Sequence, residues 1–215
     1  MSKLQIDSLT DNIVHISLPS EKELAQALIR FQEHYESPFE DIKGKVFTLG
    51  YLRSKGRRDD PGIFTYEGGH HYDADWSGYN FPSYVLEPFI RGMFDPLTSY
   101  EQDIVSALKN KQGKFYVIGT SEDYSKALDH EIAHALYYVD QKYREAVDKV
   151  LDRVDLTELR RIMTDMGYCD EVLDDECHAY LSADYDWIIE RHKITTIPRS
   201  IHTALKRLRL KHYEG

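Results

Sequence analysis

The chain has 215 residues and a formal net charge of −10, with 41% of its residues hydrophobic and 30% charged. This composition is typical of a globular protein with a sizeable core, and the apolar runs are too short to cross a bilayer. The acidic balance argues against a general nucleic-acid binder, because neutralising phosphates requires a basic surface. The chain shows no secretory signal and has only two cysteines, Cys169 and Cys177. We therefore expect a cytoplasmic protein with no disulfide framework and no membrane partner.

The N-terminal part predicts a mixture of strands and a helix. Residues 1–18 alternate weakly around residues 13–18 and predict a strand or an arm. The capping box that begins at Ser20 predicts a helix to about residue 32. Residues 45–52 and 63–66 are rich in strand-forming residues and predict two further strands. Residues 67–96 are interrupted by Gly and Pro and predict a long loop that could line a substrate cleft.

The remaining elements are mostly helices. A capping box that begins at Ser99 predicts a helix to about residue 110, and residues 114–119 predict the clearest strand. Thr120 or Ser121 can then cap a helix that continues to about residue 150, since this stretch contains no Gly and no Pro. Two more helices are predicted, over residues 155–166 and about 171–189.

A pentad in the long predicted helix, His130-Glu131-Ile132-Ala133-His134, carries the main functional signal. Residues four apart lie on one face of a helix, so both imidazoles can reach a single divalent ion at about 2.0–2.1 Å. Glu131 is rotated by about 100° from His130, which suits a base that contacts a metal-bound water better than a ligand. The alternative is a structural cluster on a solvated helix face.

A catalytic zinc site needs a third protein ligand from elsewhere in the chain. Asp140 is the next acid after His134, but without a glycine to turn the chain we expect it to remain helical and to point away. Glu176 lies on a small and apolar stripe of the 171–189 helix, where an unpaired carboxylate would be very unfavourable. Metal ligation would provide its partner, and the alternative is a surface acid in an acidic cluster with Glu171, Asp174 and Asp175. Asp184, on the same stripe, is a candidate to hold the other nitrogen of a ligand imidazole.

The pentad, followed by Glu176-Cys177-His178-Ala179, resembles the gluzincin branch of the zincin metallopeptidases. In that branch an H-E-x-x-H helix and a downstream E-x-x-A or E-x-x-x-D helix bind zinc. The resemblance covers residues 121–185. It implies a zinc peptidase with His130, His134 and Glu176 as ligands and Glu131 as general base.

The predicted fold is a single α+β, zincin-like domain over residues 1–215. Residues 1–120 would form a lobe with a small mixed or antiparallel sheet. Residues 121–215 would form a mostly helical lobe that carries the long metal-binding helix.

The expected activity is zinc-dependent hydrolysis of a peptide or protein substrate, in which Glu131 accepts a proton from the metal-bound water. Tyr180, His178, Tyr168 and the aromatic residues of 66–84 are candidate donors to the transition state. Two alternatives remain open: a catalytically idle zincin-like binding module, and a nucleic-acid-associated factor that uses the basic segment 206–212.

Overall fold

The computed structural model describes residues 4–37, 39–55, 78–122, 127–166 and 168–214. The chain divides into two compact units, Met1–Ala127 and Leu128–Gly215. A small sheet lies in the first unit, and helices make up most of the remaining regular structure. The predicted α+β class is therefore confirmed.

The sheet of the first unit has four strands within the described residues: β1 (Gln5–Thr10), β2 (Ile13–Leu18), β3 (Gly78–Pro82) and β4 (Tyr116–Ser121). Their order in the sheet is β1-β2-β4-β3. Strands β1 and β2 form an antiparallel hairpin, β2 runs parallel to β4, and β3 runs antiparallel to β4. The prediction of a small mixed sheet is thus confirmed.

Helix α1 (Glu21–Glu36) packs against this sheet and forms much of the core of the first unit. Its start is as predicted, because the side chain of Ser20 accepts a hydrogen bond from the backbone N–H of Glu23. The helix approaches β4 so closely that a Cβ on Gly119 would overlap the side chain of Leu28. Gly119 is therefore a packing requirement.

Several predictions for the first unit are wrong. Residues 49–55 form a helix, α2 (Leu49–Lys55). Thr48 caps its start, because the hydroxyl of Thr48 accepts a hydrogen bond from the N–H of Tyr51 and the carbonyl of Thr48 accepts one from the N–H of Leu52. This local cap overrides the strand propensity of residues 45–52.

The predicted loop 67–96 contains β3 and the short helix α3 (Leu86–Ile90). Every residue of β3 is buried, and pairing with β4 satisfies its backbone despite the turn-forming residues nearby. The following helix, α4 (Ser99–Leu108), is capped by Thr98 and not by Ser99, because Thr98 and Glu101 form the reciprocal capping box. The predicted strand 63–66 lies outside the described residues.

The C-terminal part of the chain is helical over most of its length, as predicted. The helix bounds are Ala127–Val139 for α5, Gln141–Leu151 for α6, Thr157–Asp165 for α7, Leu173–Ala183 for α8, Tyr185–His192 for α9 and Arg199–Glu214 for α10. Helix α8 packs against α7, α9 and α10, and α10 also packs against α6. Among the helices that the structure describes, none combines the length and the apolar composition that a bilayer crossing requires.

The predicted continuous helix 121–150 is wrong at both its start and its middle. Thr120 and Ser121 belong to β4, where they pair with β2. The helix also breaks at Asp140, whose backbone is extended and whose side chain accepts from the N–H groups of Lys142 and Tyr143. Aspartate is a strong N-cap, so it ends α5 and starts α6 without Gly or Pro. The expectation that Asp140 remains helical was therefore incorrect.

The predicted helix 171–189 is likewise divided, at Asp184, into α8 and α9. Asp184 has φ −118° and ψ 27°, which is outside the helical range. The break leaves Asp184 at the C-terminal end of α8, on the helix that also carries Glu176.

Candidate metal centre

The pentad lies on α5 and is largely buried. The exposed fraction is 5% for Glu131 and 2% for His134, and the side chain of His130 is 12% exposed. These residues therefore do not lie on a solvated helix face. The two histidines are four residues apart, and their Nε2 atoms approach to 3.1 Å.

Glu176 on α8 faces this pair of nitrogens. Its Oε1 lies 3.6 Å from Nε2 of His134, and its Oε2 lies 3.8 Å from Nε2 of His130. Two nitrogens bound at about 2.0–2.1 Å to one tetrahedral ion are separated by about 3.3 Å, which is close to the spacing found here. The three potential ligand atoms all lie within 4.8 Å of one another. These three atoms are therefore close enough to one another to bind a single metal ion.

The carboxylate of Glu176 is itself incompletely bonded. The residue is 3% exposed, and within the described part of the chain its Oε2 atom has no hydrogen-bond partner. Burial of an acceptor without a donor or a cation is unfavourable by several kcal/mol. The donor set of two imidazoles and one carboxylate therefore fits a divalent metal ion.

Two outer carboxylates hold the far nitrogens of the histidines. Oδ2 of Asp184 lies 2.8 Å from Nδ1 of His130, and Oδ2 of Asp175 lies 2.9 Å from Nδ1 of His134. An ionised carboxylate can only accept, so each Nδ1 carries the proton and donates it. Each Nε2 lone pair is then directed at the other imidazole and at Glu176. Only a cation, either a proton or a metal ion, stabilises this arrangement.

The pKa values of the site residues also indicate that the two imidazoles and the carboxylates favour a bound cation. Burial alone would lower the pKa of His130, but its interactions with the carboxylates of Asp184 and Glu176 raise it to about 9. The pKa of His134 is also raised, since Asp175 and Glu176 outweigh its burial. Burial would raise the pKa of Asp175, yet the interactions with His134 hold it at about 2. Asp175 therefore remains ionised at neutral pH.

Glu131 lies next to the two histidines on α5 and is buried with them. Its negative charge contributes to the raised pKa of both His130 and His134. It also contributes to the raised pKa of Tyr180, which is due mainly to burial. Glu131 therefore remains the candidate general base that the sequence predicts.

The predicted transition-state donors occupy different places. The ring of Tyr180 lies edge-on to His130, with ring centroids 4.7 Å apart, and its hydroxyl lies 3.2 Å from that of Tyr168. His178 is fully buried and both of its ring nitrogens contact other residues, Tyr143 and Asp175. Tyr180 and Tyr168 thus remain candidate donors near the cluster, whereas His178 does not. Of the predicted aromatic region 66–84, residues 66–77 lie outside the described part of the chain.

Sequence reasoning missed Asp175 and Tyr143. Asp175 precedes Glu176 in an acidic run, and its place three residues before His178 was the one available signal, because residues three apart share a helix face. Tyr143 follows the helix break at Asp140, so its direction could not be predicted from a continuous helix.

The neighbouring Cys177 does not join the cluster. It is fully buried, and this burial raises the pKa of its thiol to about 12. The thiol therefore stays protonated and packs as a small apolar group.

The basic segment 206–212 lies on α10 and is partly engaged with acids. Arg209 is 2% exposed and forms an ion pair with Asp129, with Nη2 of Arg209 2.9 Å from Oδ2 of Asp129. Nδ1 of His212 lies 2.7 Å from Oδ2 of Asp140. The first contact joins α10 to the first turn of α5, and the second joins it to the N-cap of α6. Lys206 and Arg207, in contrast, are exposed.

Comparisons of the chain with protein-family models, curated proteins and solved structures find no match.

Proposed function

We propose that this protein is a zinc-dependent peptidase of the gluzincin type, in which His130, His134 and Glu176 bind the metal. One observation carries the proposal: two imidazole lone pairs and a buried carboxylate converge on one point, and no hydrogen bond within the described residues satisfies Oε2 of Glu176. The ligand set of two nitrogens and one oxygen suits zinc, which imidazole and carboxylate bind well in tetrahedral sites.

A zinc ion held by His130, His134 and Glu176 would lower the pKa of a bound water molecule and polarise the carbonyl of a peptide substrate. Glu131 is the residue that we assign as general base, which would accept the proton of the attacking water and deliver it to the leaving amine. Its burial with His130 and His134 keeps it in a low-dielectric environment, where its charge acts strongly on groups nearby. The same residue thus serves first as base and then as acid.

Tyr180 is the side chain that we propose as hydrogen-bond donor to the developing negative charge on the substrate oxygen. Its ring packs against His130, and burial raises the pKa of its hydroxyl, so that the proton is retained. Tyr168, whose hydroxyl contacts that of Tyr180, can orient it.

The zincin-like fold is part of the same proposal. The small mixed sheet, the buried H-E-x-x-H helix α5 and the Glu176 helix α8 are the elements that such a fold requires. The substrate is a peptide or protein, since the expected chemistry is hydrolysis of an amide bond.

The test is cleavage of a diverse peptide library, followed by mass spectrometry. The zinc-loaded protein should cleave a subset of the peptides, chelation of the metal should abolish cleavage, and added zinc should restore it. A protein that binds zinc but cleaves no peptide would contradict the enzyme proposal and support the idle binding module. Cleavage that persists after the metal has been removed would contradict the role of zinc.

A further inference from the structure

A chain of hydrogen bonds extends from the candidate metal site into the interior of the C-terminal unit. The hydroxyl of Tyr143 lies 2.7 Å from Nε2 of His178, and Nδ1 of His178 lies 3.4 Å from Oδ1 of Asp175. The other oxygen of Asp175 lies 2.9 Å from Nδ1 of His134. Tyr143 and His178 are both 0% exposed, so bulk water does not replace the contact between them, and the side chain of Asp175 is 18% exposed.

The donors and acceptors of this hydrogen-bond chain can be assigned by starting from Asp175. Asp175 is an acceptor for both imidazoles, so Nδ1 of His178 and Nδ1 of His134 each carry a proton. Nε2 of His178 is then an acceptor, and the hydroxyl of Tyr143 is its donor. Because its proton is fixed on Nδ1, His134 directs the lone pair of Nε2 at the candidate metal site.

We infer that Tyr143 and His178 are positioning residues for the metal site, which they influence through Asp175 by fixing the tautomer and the orientation of His134. This inference rests on the proposed metal-binding function. It adds two residues from outside the pentad and the Glu176 motif, and it explains why a polar histidine lies fully buried on α8. His178 is held by hydrogen bonds at both nitrogens and is not a ligand.

Tyr137 provides a matched control. Its ring also packs on His178, with ring centroids 5.2 Å apart, but its hydroxyl donates to Asp148 and not to the imidazole. Tyr143→Phe and Tyr137→Phe each remove one hydroxyl and keep an aromatic ring against the same histidine. Only Tyr143→Phe removes a hydrogen bond from the chain that leads to His134.

Zinc affinity, measured by competition with a chelator, should distinguish the two variants. Loss of an outer partner of a metal ligand weakens binding by about 10- to 100-fold, which is the effect expected for Asp175→Asn, because an amide offers an acceptor to only one of the two rings. Tyr143→Phe acts one hydrogen bond further away and should weaken binding by about three- to tenfold. Tyr137→Phe should leave the affinity unchanged. Equal affinities for Tyr143→Phe and the wild type, or equal losses in both tyrosine variants, would overturn the inference.

The imidazole ¹⁵N chemical shifts provide a readout that a packing role alone would not change. In zinc-loaded wild type, His134 and His178 should both show the Nδ1–H form, and Tyr143→Phe should shift Nε2 of His178 while Tyr137→Phe should not. An Nε2–H form of His178 in the wild type would contradict the assigned chain. If the wild type bound no zinc, the proposed metal site would fail, and the tautomer of His178 in the metal-free protein would decide separately whether the chain exists.

Discussion

Replacing Glu131 by glutamine is expected to slow peptide hydrolysis by at least about a hundredfold while zinc remains bound, because general acid–base groups contribute about 10² to 10⁴ in rate. A hundredfold loss corresponds to about 2.7 kcal/mol of activation free energy. Glutamine keeps the shape and the helix propensity of glutamate, so α5 should be unaffected. The amide cannot accept the proton of the attacking water, and this loss alone should account for the effect.

The measurement is the cleavage rate on the best peptide of the library, with zinc determined on the same samples. Glu145→Gln is a suitable control, since Glu145 is an exposed glutamate of the neighbouring helix α6. It should cleave at the wild-type rate. An unchanged rate in Glu131→Gln would show that this carboxylate is not the base.

Zinc affinity should rise steeply with pH across the neutral range. In the metal-free protein the two Nε2 atoms, 3.1 Å apart, have room to share one proton but not two. The pKa of His130 is raised to about 9, so below that pH the metal must displace this proton. Displacement of one proton changes the affinity by about tenfold per pH unit, which gives about a hundredfold increase from pH 6 to pH 8.

This dependence can be measured by calorimetry, which should also detect about one proton released per zinc near neutral pH. The increase should level off above about pH 9, where the pair is already neutral. Asp184→Asn removes a hydrogen bond that raises the pKa of His130, so the levelling should move to lower pH. An affinity that is independent of pH between 6 and 8 would contradict the shared proton.

The central motif was predictable from sequence because its geometry is local. His130 and His134 share one helix face at a fixed separation, so their convergence required only that residues 127–139 be helical. The role of Glu176 was predicted by a different argument, namely that an acid on an apolar stripe needs a partner. Burial of Glu176 at 3% exposure agrees with that reasoning.

The parts that could not be predicted depend on competition between local and tertiary contacts. Asp140 ends α5 because its side chain caps α6, although an uninterrupted run of good helix formers predicts continuation. Thr48 caps α2 in a segment whose composition favours a strand. In both cases one short polar side chain outweighs the propensity of several neighbours.

The outer part of the site was the least predictable. Asp175 reads as a solvated acid in an acidic run, and its contact with His134 exists only because α8 packs beside α5. Tyr143 reaches His178 only because the chain turns at Asp140. Contacts of this kind depend on helix packing, which no periodicity in the sequence encodes.

The most direct test of the metal site is the zinc content of the purified protein and of two variants on α8. Glu176→Ala removes the proposed third ligand, whereas Asp174→Ala removes an exposed acid from the same helical turn, where it forms an ion pair with Arg160. Zinc should be measured by elemental analysis on protein purified without added metal and again after reconstitution. We predict about one zinc per chain in the wild type and in Asp174→Ala, and strongly reduced zinc in Glu176→Ala. A wild type that holds no zinc after reconstitution, or zinc that remains fully bound in Glu176→Ala, would contradict the site.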